Sequence, residues 1–87
     1  MSTYIQFTRT SNLWRMKRLA NSKNGNPRYQ LTFANDVEGK TKPDAGWVYA
    51  VSEHWLNQPV TFKYHFTPTG RCVIDDALLG TYKENDQ

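Results

Sequence analysis

The 87-residue sequence predicts a single α+β domain. We expect a small twisted or partly closed antiparallel sheet of about five strands, in the order of an oligonucleotide-binding (OB) barrel, with one short helix. Three observations predict it: a length that allows one core, a 14% aromatic content that offsets a modest aliphatic content, and two segments that alternate apolar and polar residues around turns. Other five-strand folds fit the same order. The domain is predicted to span residues 1–82, with residues 83–87 as a frayed tail.

The first predicted hairpin covers residues 13–33. Its connection contains Asn24 and Gly25, which tolerate positive φ, and Pro27, which lacks the amide donor that a central strand needs. The strand that follows alternates strictly, which predicts that Tyr29, Leu31 and Phe33 share the inner face. A further short strand is expected at residues 4–8.

The strand that opens this hairpin alternates less cleanly. We expect Trp14 and Met16 to pack inward, which leaves Leu13 on the other face and makes Arg15 and Lys17 project outward. In an in-register hairpin, these two cations lie on the same sheet as Arg28. The pattern therefore predicts a basic stripe on the outside of the first hairpin.

The second predicted hairpin covers residues 60–75, with a turn at residues 67–70. Pro68 and Gly70 lie where turn geometry favours them. Asp75 and Asp76 are expected to end the last strand. The inner row is predicted to consist of four apolar residues, Val60, Phe62, Tyr64 and Phe66.

Between the hairpins, residues 37–42 are predicted to form a short exposed strand, and residues 45–56 fit two structures. As a helix, the segment begins at Asp44 as N-cap and places Val48, Val51 and Trp55 on one stripe. As a strand, its apolar run is buried on both faces. We favour the helix, because a strand of that length is unusual in so small a domain.

The charge is unevenly distributed. Residues 1–35 hold six basic residues and no carboxylate, giving +6, whereas residues 36–87 hold five basic and eight acidic residues, giving −3. A positive half of this kind attracts anionic partners, either nucleic acid or acidic protein surfaces.

Several classes of chemistry lack the residues they require. Two histidines, His54 and His65, and one cysteine, Cys72, provide no zinc-site spacing, and no phosphate-binding glycine motif occurs. No nucleophile lies in a recognisable catalytic pattern. We therefore expect no enzyme activity, metal or cofactor. Without an apolar run for export or membrane insertion, we expect a cytoplasmic protein with no membrane partner.

Several short segments resemble small uncharacterised phage and prophage proteins. The resemblance covers residues 15–75, and its most specific part is the Gly-Asn-Pro-Arg-Tyr segment at residues 25–29. It implies a short phage-type accessory protein of the host cytoplasm, a size class that frequently binds and blocks host defence or transcription machinery. It implies no site residue.

Two functions are consistent with these observations. The first is a non-catalytic, phage-type module that occludes a host protein, in the manner of anti-CRISPR inhibitors. The alternative is direct binding of single-stranded DNA or RNA by the basic surface, with phosphates on cations and bases on exposed rings. The predicted binding residues are Trp14, Arg15, Lys17, Arg18, Lys23, Asn24, Asn26 and Arg28.

Overall fold

Five strands form a closed barrel in the computed structural model, which describes residues 5–80. The strands are β1 (Phe7–Leu19), β2 (Arg28–Phe33), β3 (Glu38–Thr41), β4 (Pro59–Phe66) and β5 (Cys72–Leu79). Around the barrel they follow the order β1-β2-β3-β5-β4, and β4 pairs with β1. The pair β3–β5 is parallel and the others are antiparallel, so the sheet is closed and mixed, where a twisted or partly closed antiparallel sheet was predicted. The predicted boundary at residue 82 and the tail lie outside the described residues.

Strand β1 closes the barrel by pairing with two neighbours. Residues 7–12 pair with β4 and residues 13–19 pair with β2. The separate short strand expected at residues 4–8 is therefore wrong for Phe7 and Thr8, which belong to β1, while Tyr4 lies outside the described residues. A continuous strand of this length serves both halves of the sheet, which a closed barrel requires.

A bulge in β1 reverses the predicted facing of two residues. The register with β2 shifts between Leu13 and Arg15, which makes Trp14 the extra residue. Leu13 is fully buried, and its backbone exchanges hydrogen bonds with residues 57 and 58. Trp14 is 56% exposed, so its predicted inward packing is wrong. Met16, beyond the bulge, packs against the core as predicted.

The inner rows of β2 and β4 form most of the core. Leu31, Phe33, Val60, Phe62 and Tyr64 are buried as predicted, and Tyr29 packs against them. The rings of Phe33 and Phe62 stack with centroids 3.7 Å apart. Phe66, at the end of β4, is 51% exposed, so its predicted place in the inner row is wrong.

Two 3₁₀ helices, Gly46–Ala50 and Glu53–Trp55, replace the predicted helix at residues 45–56. Neither the helix nor the alternative strand forms, and residues 5–80 contain no α-helix. Asp44 is not an N-cap: it has a φ of 63°, and its carboxylate is bound by a different loop. Ser52 is extended and separates the two turns. The three residues predicted to share one helical stripe are nevertheless buried: Val48, Val51 and Trp55.

No helix of the described chain is long and apolar enough to cross a bilayer.

Strand β5 is longer than predicted, because the two aspartates do not end it. Lys63 pairs with Asp76 and Tyr64 pairs with Ile74, so Asp75 is the extra residue of a second bulge. The strand then continues to Leu79. A bulge keeps the ladder running on both sides of the inserted residue, which a strand end does not.

The parallel pair β3–β5 depends on a glycine. A Cβ placed on Gly39 would lie 2.7 Å from Cys72 Sγ, 3.0 Å from the Cys72 carbonyl oxygen and 3.1 Å from Ile74 Cδ1. All three separations are shorter than ordinary van der Waals contact. The missing side chain at Gly39 therefore lets the two strands approach.

Candidate functional site

A row of polar side chains crosses the outer surface of β1, β2 and β3. Leu31 and Phe33 are buried, so the residues that alternate with them in β2 lie on the outside. Gln30 is directly opposite Lys17 of β1 on one side and Lys40 of β3 on the other. With neighbouring strands about 4.8 Å apart, the backbones of the two lysines are separated by about 10 Å.

Two further cations, Arg15 and Arg28, extend this row along the hairpin. Arg15 is opposite Thr32, which is opposite Glu38, and Arg28 is opposite Leu19. Arg15, Lys17 and Lys40 are exposed. We call the surface formed by Arg15, Lys17, Arg28, Gln30 and Lys40 the basic face.

The cations of the basic face are not neutralised within the described part of the chain. Among residues 5–80, the one ion pair joins His65 to Asp75, on the opposite side of the barrel, and no lysine or arginine is paired with a carboxylate. Glu38, the one acidic neighbour, accepts a hydrogen bond from the Gln30 amide. A surface of unpaired cations produces a field that attracts polyanions.

Arg28 has an unsatisfied donor. Its Nε–H is buried and has no acceptor among residues 5–80. A buried donor without an acceptor costs about 1–3 kcal/mol. This donor lies at the end of the basic face where the hairpin loop begins.

An open cleft borders the basic face at the β3–β5 junction. Its volume is about 430 Å³, and its lining includes Lys40, Gln30 and Arg71 from the β4–β5 turn. Cys72 also lines it. Burial, and secondarily the charge of Asp75, raises the pKa of the Cys72 thiol, which therefore remains protonated at neutral pH. The cleft is a polar groove with two cations, Lys40 and Arg71, and one carboxylate, Glu38, and it is not a thiolate site.

The predicted binding residues fall into two groups. Arg15, Lys17 and Arg28 lie on the basic face, with the exposed ring of Trp14 beside Arg15 at the bulge. The others lie around the loop of residues 20–27, away from that face: Arg18, Lys23, Asn24 and Asn26. The sequence prediction missed Lys40 and Arg71, which alternation in residues 37–42 and the turn position could have indicated.

The loop of residues 20–27 is fastened by Asp44, which lies after β3. The Asp44 carboxylate accepts hydrogen bonds from Ser22 Oγ at 2.6 Å, Asn26 Nδ2 at 2.7 Å and Asn24 Nδ2 at 3.0 Å. These three bonds, that of Ser22 first, lower the pKa of Asp44. The amides of Asn24 and Asn26 are therefore bound within the molecule, and their contact with a partner stays a prediction.

The His65–Asp75 pair fastens the β5 bulge to its surroundings. His65 Nδ1 lies 2.8 Å from Asp75 Oδ2, and Gln6 Nε2 donates to the same oxygen at 3.0 Å. Trp47 Nε1 donates to the Asp75 carbonyl oxygen at 2.8 Å. The pair thus connects β4, β5, the start of β1 and the first 3₁₀ helix.

Known proteins provide no further guide. In residues 5–80, no group of three or more His, Cys, Asp or Glu side chains is arranged to hold a metal ion. The sequence matches no protein-family model, and comparisons with curated proteins and with solved structures gave no significant match.

Proposed function

We propose that the protein is a non-catalytic module that binds single-stranded nucleic acid on the basic face. The observation that supports this most directly is the row Lys17–Gln30–Lys40, which spans three strands and in which neither lysine is paired with a carboxylate of residues 5–80. Ammonium groups in such a row are suited to successive phosphates of one strand, whereas the Gln30 amide between them already donates to Glu38.

The strand order supports the same proposal. A five-stranded barrel whose helical segment lies between β3 and β4 has the element order of an OB barrel. OB barrels bind oligonucleotides on the side of strands 2 and 3, flanked by the loops that follow strands 1 and 4. In this protein, Gln30 and Lys40 lie on those strands, and Arg71 lies in the connection between β4 and β5.

Trp14 supplies an aromatic surface at the edge of the basic face. Its ring is 56% exposed, and the next residue in the chain is Arg15. A base that stacks on an exposed ring adds about 1–3 kcal/mol per base without selecting a sequence. The β1 bulge, which turns this ring outward, thereby combines a stacking surface with phosphate contacts.

Anisotropy of a labelled single strand of about 16 nucleotides tests the proposal. We expect binding at low salt that is weakened by Lys17→Ala and by Lys40→Ala. The matched control is Lys63→Ala, which removes an exposed lysine from β4, a strand that does not border β2 or β3. Equal losses for all three variants would show that the basic face is not the site.

A second candidate is the occlusion of a host protein by a phage-type inhibitor in the host cytoplasm. One observation favours it: most rings of the sheet face inward, including Phe33, Phe62 and Tyr64, which leaves Trp14 as the exposed ring beside the basic face. A cationic face with little stacking surface is also suited to an acidic protein. The resemblance to small phage proteins supports the same candidate.

Affinity capture from host cells tests the second candidate. The bait is used in two forms, the native chain and a variant that carries Arg15→Glu and Lys17→Glu. An inhibitor is expected to retain one host protein that the variant loses, after nuclease treatment and with no affinity for free oligonucleotides. Retention of the same proteins by both baits would rule out docking through the basic face.

A further inference from the structure

Two adjoining open depressions lie at the end of the barrel where β1 leads into the loop of residues 20–27. Their volumes are about 380 and 450 Å³, and Arg18, Tyr29 and Val51 line both. Tyr49 borders the first depression and Glu53 borders the second. We call the two together the end groove. Volumes of this size are within the range of small-ligand sites.

The centre of the end groove combines a cation with an aromatic ring. The Arg18 guanidinium carbon lies 5.6 Å from the centroid of the Tyr29 ring. Arg18 also donates to the Asn21 side chain and to the Leu19 carbonyl oxygen, which restricts the orientation of the guanidinium. A flat cation held over a ring offers a planar surface on which another flat π-system can stack.

The walls of the end groove are joined by side-chain hydrogen bonds. Tyr49, which is 65% exposed, donates its hydroxyl proton to Asn26 Oδ1 at 2.5 Å and so connects the first 3₁₀ helix to the loop. Asp44 holds the same loop through Ser22, Asn24 and Asn26. A groove whose walls are fixed before binding loses less conformational entropy when a ligand enters.

The end groove lies beside the end of the basic face. Arg18 pairs with Tyr29 between the pairs Lys17–Gln30 and Leu19–Arg28, so the side chains of Arg18 and Tyr29 lie on the other face of the sheet. A strand whose phosphates lie along the basic face would pass over the end of the hairpin to reach the groove. The groove offers flat π surfaces from Arg18 and Tyr49 and one carboxylate, Glu53, which can accept from an exocyclic amine.

We propose that the end groove binds one nucleobase of the strand held on the basic face. The ligand is a flat, uncharged heterocycle that stacks on Arg18 and Tyr49, while its backbone is held by Lys17 and Arg28. This inference rests on the proposed function, because it assigns a base to one end of the same site.

A comparison of an oligonucleotide with an abasic strand of equal length tests the inference separately from the proposed function. Both strands present the same phosphates, so both are expected to bind the basic face. We expect the base-bearing strand to bind about five- to a hundredfold more tightly. Binding of neither strand overturns the proposed function and this inference together. Equal binding of both strands overturns this inference and the stacking on Trp14, while the phosphate contacts of the basic face stand.

Variants assign the difference to the end groove. Tyr49→Ala is expected to reduce the preference for the base-bearing strand, whereas Tyr49→Phe keeps the ring, loses the bond to Asn26 and is expected to retain most of it. Abasic binding is expected to be the same in all three proteins. A preference that survives Tyr49→Ala and disappears with Trp14→Ala would place the base on the β1 bulge and overturn the inference.

Discussion

Substitution of Gly39 by alanine is expected to destabilise the barrel at its parallel junction. The new methyl group would lie 2.7 Å from Cys72 Sγ and 3.0 Å from the Cys72 carbonyl oxygen, where carbon contacts normally lie at about 3.5–4.0 Å. Strands β3 and β5 would have to separate by roughly half an ångström or more, along a junction registered by two residue pairs. Overpacking of this kind costs about 1–3 kcal/mol, which lowers the melting temperature by about 4–24 °C in a domain of this size.

Thermal and urea denaturation of two glycine variants measures this cost. Gly46→Ala is the matched control, because a Cβ at that residue meets no atom within 4 Å. It is expected to leave stability unchanged or slightly higher. Adding Cys72→Ala to Gly39→Ala removes the closest contact, so the double variant should be less destabilised than the sum of the single variants. A Gly39→Ala protein as stable as Gly46→Ala would refute the close approach of β3 and β5.

Three further outcomes are expected. The pKa of Asp44 is lowered in the folded state, so its contribution to stability is present above the ordinary value of 3.8 and is lost as pH falls through the lowered value. An NMR titration of the loop amides should therefore show that the loop of residues 20–27 is released only in acid. In Asp44→Ala the loop should be released at neutral pH. Trp47→Phe keeps an aromatic side chain but loses the bond to the Asp75 carbonyl oxygen and part of the packed indole, so urea denaturation should report a loss of at least about 0.5–1.5 kcal/mol, the contribution of one hydrogen bond. The thiol of Cys72, with its raised pKa and partial burial, should react with iodoacetamide more slowly at neutral pH than it does in denaturant.

The alternation of apolar residues was sufficient to predict the inner rows. Leu31, Phe33, Phe62 and Tyr64 are buried where period two placed them, because a strand with one buried face must bury every second residue. The bulge at Trp14 could not be read in this way. An inserted residue does not change the local composition, yet it turns the residues before it to the opposite face of the sheet.

The structure of residues 45–56 and the assembly of the basic face depend on contacts between residues that are far apart in the sequence. Asp44 has the sequence context of an N-cap, and what removes it from that role is a set of side chains about twenty residues earlier in the loop. Lys40 joins Lys17 only because β3 pairs with β2, and β2 with β1. Local patterns contain the residues of the basic face but not the strand order that brings them together.

The salt dependence of single-strand binding by the native chain tests the proposed function most directly. Each phosphate contact on a single strand contributes about −0.7 to the slope of log K against log salt. Contacts from Arg15, Lys17, Arg28 and Lys40 therefore predict a slope of about −3. We expect Lys17→Ala and Lys40→Ala each to make the slope shallower by about 0.7. Absence of binding at the lowest salt concentration, or a slope near zero, would contradict the proposal that this barrel holds a nucleic-acid strand on its basic face.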